Sequence, residues 1–196
     1  SQAIAGNLEG NDPTRDVLVY LPPSYSTDTD RRYPVVYGLH GYSIDNEIWS
    51  GEIDAPASIA GAFENGTPEM IVVLPDSRSL HNGSMYSSSV TSGDWETYIT
   101  EELVAFIDGH YRTIPARESR GLAGHSMGGY GTLRLGMKRP DVFASLYSMS
   151  PCCLSARGAP PADLLTKLTA IEDPAETLEM GFFERATLAV GSAWAP

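Results

Sequence analysis

Basic residues are scarce in this sequence: 13 lysines and arginines stand against 25 aspartates and glutamates, a formal charge of −12 at pH 7. That balance excludes the electrostatic footprint of a nucleic-acid-binding protein and gives no hold on an anionic membrane surface. Long apolar runs are missing too. No stretch approaches the ~18 residues of a membrane span, and Ser1 to Asp12 lacks the basic and apolar blocks of a signal peptide. The mature form of a secreted or periplasmic protein has the same appearance, so the compartment stays open. Cysteine is confined to the neighbours Cys152 and Cys153, with no CxxC or Cys/His spacing for zinc. A disulfide between adjacent residues needs a strained backbone, so the pair reads as buried reduced thiols. Internal repeats and low-complexity tracts are absent. What remains, 196 residues of which 42% are hydrophobic, suits one compact domain over 1–196 with a sizeable core.

Within that domain the apolar pattern alternates between two periods. Asp16 to Leu21, Val35 to Leu39 and Met70 to Leu74 read as strands, the last two as short apolar runs and Met70 to Leu74 of the kind covered on both faces. Polar residues and Pro22-Pro23 separate the first two. Ile99, Leu103, Phe106 and Ile107 recur at helical spacing, with Asp94 able to cap the start. Arg120 to Gly124 is a brief strand, Met127 to Lys138 a helix stopped by Pro140, and Phe143 to Met149 a further strand. After a loop at Ser155 to Pro161, a weaker helix is expected at Ala162 to Ala170 and one more strand at Arg185 to Val190. Strand and helix in alternation imply an α/β fold with a mainly parallel sheet flanked by helices.

The sharpest chemical signal is Gly124-His125-Ser126-Met127-Gly128, a G-x-S-x-G pattern lying after a strand and before a helix. A turn tight enough to lift the serine hydroxyl out at the strand end leaves no room for side chains at Gly124 or Gly128. The start of the following helix also brings the positive end of its dipole to the reacting centre. A second signal is Leu39-His40-Gly41-Tyr42 directly after an apolar strand, which places the backbone N–H of Tyr42 beside that of Met127 as a candidate oxyanion hole. The stretch His81 to Gly93, rich in Ser, Gly and Asn, reads as a surface loop: either one wall of a cleft, with Tyr86 and His81 reaching into it, or a solvated segment.

Taken together, Tyr33 to Gly41 (YPVVYGLHG), Gly93 to Glu102 (GDWETYITEE) and Gly124 to Gly129 (GHSMGG) resemble the esterase D and feruloyl esterase-like group of α/β-hydrolases. That group takes in carbohydrate esterases acting on acetylxylan and feruloyl esters, S-formylglutathione hydrolases and mycolyltransferases of the antigen 85 type. The likeness runs from about Arg15 to about Val190. It implies that Ser126 is the nucleophile, that Tyr42 and Met127 form the oxyanion hole, and that Trp95 packs beside the nucleophile turn, with substrate contact its lesser role.

One departure stands out. A serine hydroxyl needs a base, and in this fold the order along the chain is Ser, then Asp or Glu, then His. All four histidines, His40, His81, His110 and His125, are at or before position 125. Asp163, Glu172 and Asp173 lie after the elbow but read as solvated charges. The resemblance therefore implies that the acid and histidine lie on a C-terminal segment lacking here, on a second chain or a piece not included. The expected chemistry is a serine carboxylic-ester hydrolase acting on a small-molecule or carbohydrate ester through an acyl-enzyme, with no metal or organic cofactor. Its rivals are a non-catalytic binding module on the same fold and an acyltransferase with an alcohol as acceptor.

Overall fold

The computed structural model describes residues 1–155 and 159–195 and contains a five-stranded sheet with helices on both faces. Its strands are β1 (Val17–Tyr20), β2 (Val35–Leu39), β3 (Ile71–Pro75), β6 (Arg120–His125) and β7 (Ser145–Met149). They lie in the order β1-β3-β2-β6-β7, with β1 antiparallel to β3 and every other pairing parallel. β4 (Ser88–Ser89) and β5 (Gly93–Asp94) form a separate two-residue ladder. This is the mainly parallel, helix-flanked sheet that the alternating pattern predicts.

Strand alternation sorts the core into two layers. Val17, Val19, Val35, Tyr37, Leu39 and Val73 face a large cluster with Ile99, Leu103, Ile107 and Leu135. Leu18, Tyr20, Val72 and Leu74 face a smaller one with Trp49 and Ala55. The first layer is supplied by the helices after β5 and after β6, the second by α1 (Asn46–Glu52) and α2 (Ala55–Glu64).

The helix after β5 starts as expected, Asp94 accepting the Thr97 N–H at 2.9 Å. It is built from α3 (Trp95–Thr97), a wider i to i+5 turn over Tyr98–Glu102, and α4 (Leu103–His110). The wide turn carries one extra residue and rotates the helical turns after it. The buried face becomes Leu103, Val104 and Ile107, and Phe106, expected inside, is 48% exposed and stacks on His110.

α5 (Met127–Lys138) has the predicted bounds, and α6 (Ala162–Thr169) matches its expected range closely. The predicted strand at Arg185 to Val190 is a correction: those residues lie within α7 (Phe182–Ala193). Ala, Leu, Glu and Arg are strong helix formers, and Ala189 and Ala193, four apart, are its buried positions. The Glu184 carboxylate also accepts the Gly181 N–H, satisfying one donor at the helix start. Part of the loop expected at Ser155 to Pro161 lies outside the described residues.

Candidate active site

β6 and α5 meet at Ser126, whose backbone adopts φ 55° and ψ −111°. This is a conformation that L-residues avoid, at a cost of about 1–3 kcal/mol, and it persists only where the surroundings enforce it. Here they do. The Ser126 N–H donates to the Met149 carbonyl at 3.0 Å, and the Ser126 carbonyl accepts from Tyr130 N at 3.0 Å and Cys152 N at 3.1 Å. The glycines are required by space. A Cβ on Gly124 would sit 2.3 Å from the Gly128 carbonyl oxygen, and one on Gly128 would sit 1.9 Å from that of Leu39.

The turn after β2 comes to the same place. A Cβ on Gly41 would lie 3.7 Å from Ser126 Cβ, so the Gly41-Tyr42 backbone passes beside the serine. Tyr42 is held by its phenol, which donates to the His81 carbonyl at 2.9 Å, and by an edge-on contact of its ring with Phe182. Burial pushes that phenol up to about 12, so it stays protonated as a donor. Among the described residues, no carbonyl accepts the backbone N–H of Tyr42 or of Met127. Two unpaired donors flanking a serine are what a developing oxyanion needs.

Ser126 and Tyr42 open into a cavity of about 810 Å³. Met85, Cys152 and Cys153 line it on the sheet side, and Leu164 of α6 with Phe183 and Val190 of α7 on the other. That far wall escaped the sequence reading, and Phe182-Phe183 after Gly181 was the one available signal.

The other candidate residues lie elsewhere. Tyr86 is fully buried, its hydroxyl donating to the His40 carbonyl at 3.0 Å and its ring filling the space above Gly131. Trp95 is fully buried, its indole N–H donating to the Ser92 carbonyl at 2.8 Å and its ring meeting Tyr98 edge-on. His81 is buried with Nε2 3.6 Å from Glu9. Burial pulls its pKa below the ordinary value, with Glu9 opposing. None of the three lines the cavity. The loop His81 to Gly93 is a correction as well: it is a mostly buried segment whose Ser84, Ser87 and Ser92 are inside, and Met85 alone among its residues lines the cavity. Cys152 and Cys153, expected to be buried, are partly buried against the large core cluster.

The histidines do not complete a triad with Ser126. His40 is fully buried, Nε2 accepting the Ser77 N–H at 2.8 Å, which assigns the ring proton to Nδ1, 2.8 Å from the Gly41 carbonyl. Burial holds its pKa below the usual imidazole range, so it is a neutral strut under the Gly41-Tyr42 turn. His110 engages the Phe106 carbonyl through Nδ1. His125 is exposed, and among the described residues no side chain hydrogen-bonds Ser126. Asp163, Glu172 and Asp173 are exposed, Asp173 serving as the cap of the turn at Pro174–Glu179. Among the described residues, no group of three or more His, Cys, Asp or Glu could hold a metal, and no helix is long and apolar enough to cross a membrane.

A family model described as "Putative esterase" matches residues 11–189. The chain is 35% identical over 138 residues to an esterase of Mycobacterium tuberculosis, covering 68% of this chain and 28% of that protein. It is 27% identical over 154 residues to S-formylglutathione hydrolase of Rattus norvegicus, covering 69% and 51%. Among solved structures it resembles a ferulic acid esterase with a TM-score of 0.67 and 28% identity, covering 89% of this chain and 69% of that one. The chain thus spans about half or less of the curated relatives it matches.

Proposed function

Because the chain belongs to the esterase family and has the α/β-hydrolase fold, we propose that it carries the nucleophile and oxyanion hole of a serine carboxylic-ester hydrolase. The observation that carries this reading is the strained Ser126 at the mouth of a cavity, flanked by the unpaired N–H groups of Tyr42 and Met127. Ser126 Oγ attacks the ester carbonyl while its proton passes to a base. The carbonyl oxygen becomes an oxyanion between the two N–H donors, each worth about 2.7–4 kcal/mol of transition-state stabilisation. The alkoxide leaves with the proton, and water then clears the acyl-enzyme by the same steps in reverse order.

His40 is locked as a neutral strut, and His81, His110 and His125 make no bond to Ser126. The base and its acid therefore come from a further polypeptide segment or chain that completes the site. An ester of a small or aromatic acid, on a sugar or another small molecule, fits the cavity and the chemistry of the relatives. The test is hydrolysis of p-nitrophenyl acetate and methyl ferulate by the protein together with every polypeptide that accompanies it, against Ser126→Ala. A turnover no faster than that of the variant would end the esterase reading. One observation favours a second reading: with no histidine bonded to Ser126, the chain is a binding module that keeps the elbow without the triad. Ester binding without turnover in the same assay would select it.

A further inference from the structure

Cys152 and Cys153 line the cavity next to Ser126, and nothing in the acyl-transfer chemistry uses them. Side chains of successive residues ordinarily diverge, pointing to opposite faces in extended chain. Here they converge: the two sulfurs lie 2.6 Å apart. The backbone explains how. Ser150 and Cys153 both adopt the left-handed region, with φ 43° and 62°, which is uncommon for any residue but glycine and takes the two cysteines out of regular extended chain. The segment is tied down, since the Cys152 N–H donates to the Ser126 carbonyl and Met149 receives the Ser126 N–H. Two sulfurs are thus held together, partly buried, on the wall of a cavity large enough to admit a small molecule.

From this geometry we infer that Cys152 and Cys153 are a working dithiol site, which closes reversibly to a disulfide by exchange with a low-molecular-weight disulfide and chelates trivalent arsenicals. In the first step one cysteine thiolate attacks a sulfur of the oxidant, giving a mixed disulfide and releasing one thiol. The neighbouring thiolate then attacks the protein-side sulfur, closing the ring and releasing the second thiol. Two cysteine thiols are oxidised, one external disulfide is reduced, and both cysteine protons leave with the released thiols or the solvent. Adjacent Cα atoms are about 3.8 Å apart, closer than the ~4.4–6.8 Å of ordinary disulfides. The closed ring is strained and readily reduced, which makes the pair a reversible redox site and not a structural crosslink. A trivalent arsenical takes both sulfurs with loss of water, and neither sulfur alone holds it as tightly. This chemistry sits one hydrogen bond from Ser126 and does not depend on Ser126 being a nucleophile.

The experiment is intact-mass spectrometry of the protein under denaturing conditions after iodoacetamide trapping. The reduced protein takes up two carbamidomethyl groups. After oxidised glutathione it takes up none, carries no glutathione, and regains both on treatment with dithiothreitol. Phenylarsine oxide adds once and blocks both alkylations, and Cys152→Ser or Cys153→Ser weakens its retention by at least about tenfold, as expected when a chelate becomes a single contact. A stable glutathione adduct on either cysteine, two alkylations after oxidation, or undiminished arsenical retention in either variant would overturn the inference. Fluorophosphonate labelling of Ser126 in the same samples, with every polypeptide that accompanies the chain present, reads the esterase proposal separately: no label in either redox state tells against that proposal and leaves the dithiol result intact.

Discussion

Replacing Gly128 with alanine adds one methyl group at the point where α5 passes closest to β2. That methyl would lie 1.9 Å from the Leu39 carbonyl oxygen, 2.5 Å from its carbon and 2.8 Å from the His40 oxygen, all backbone atoms of the central strand and its turn. No side chain can rotate away to make room. To reach an ordinary contact of about 3.4 Å, α5 would have to withdraw by about 1.5 Å, the difference between 3.4 and 1.9. Overpacking a core commonly costs about 1–3 kcal/mol. With sheet and helix both rigid, the loss here is expected at about 3 kcal/mol or more. At a urea m-value of about 3 kcal/mol/M, that lowers the unfolding midpoint by about 1 M. Gly109→Ala is the control: it lies in α4, exposed, with nothing within 4 Å of the added methyl, and gains about 0.5–1 kcal/mol from helix propensity. An unchanged midpoint for Gly128→Ala, or an equal loss for Gly109→Ala, would refute the steric reasoning.

The same geometry sets three further outcomes. Ser126→Gly removes the side chain and relieves the φ 55° strain, so thermal denaturation should show a protein more stable by about 1 kcal/mol that no longer takes a fluorophosphonate; equal or lower stability would contradict the strain. His40 is buried as the neutral ring, its pKa below 6.5, so the unfolded chain binds the extra proton first. Its contribution is intact above pH 6.5 and is lost as pH falls below that value. Urea midpoints between about pH 7.5 and about pH 5 should therefore fall with pH, with a smaller slope in His40→Gln; His81, shifted in the same direction, supplies the remainder. Phe182→Ala removes the edge-on partner of Tyr42 from the cavity wall and should raise KM for apolar esters several-fold with little change in stability, since Phe182 is 57% exposed. A fall in kcat at constant KM would instead place Phe182 in the chemistry.

The elements legible in the sequence were those whose local signals agree. β2 is an apolar run stopped by His40-Gly41, and α5 is bounded by the elbow and Pro140, so periodicity and punctuation mark the same ends. The elbow was legible because its glycines and serine keep a fixed local spacing between a strand and a helix, although Gly124 is demanded by nearby Gly128 and Gly128 by distant Leu39. α7 was not, since RATLAV ends in a short apolar run like a strand's while its residues also favour helix, and only tertiary contact at Ala189 and Ala193 decides between them. The segment from His81 to Gly93 misled for a different reason. Its serines and glycines look solvated, yet Ser87 bonds the Met85 carbonyl, Ser79 just before the segment bonds the Gly83 carbonyl, and Asn11 reaches the Ser92 carbonyl from far along the chain. The cavity wall depends on α6 and α7 folding over an elbow some 40–70 residues earlier, and no local pattern carries such a contact.

The central claim is that Ser126 is an activated nucleophile, and it is tested most directly by intact-mass spectrometry and peptide mapping after fluorophosphonate treatment. The sample is the protein with every polypeptide that accompanies it, and Ser126→Ala is the control. The account predicts one phosphonyl adduct, mapped to Ser126 and absent from the variant. No adduct, or an adduct that maps elsewhere and persists in Ser126→Ala, would contradict it.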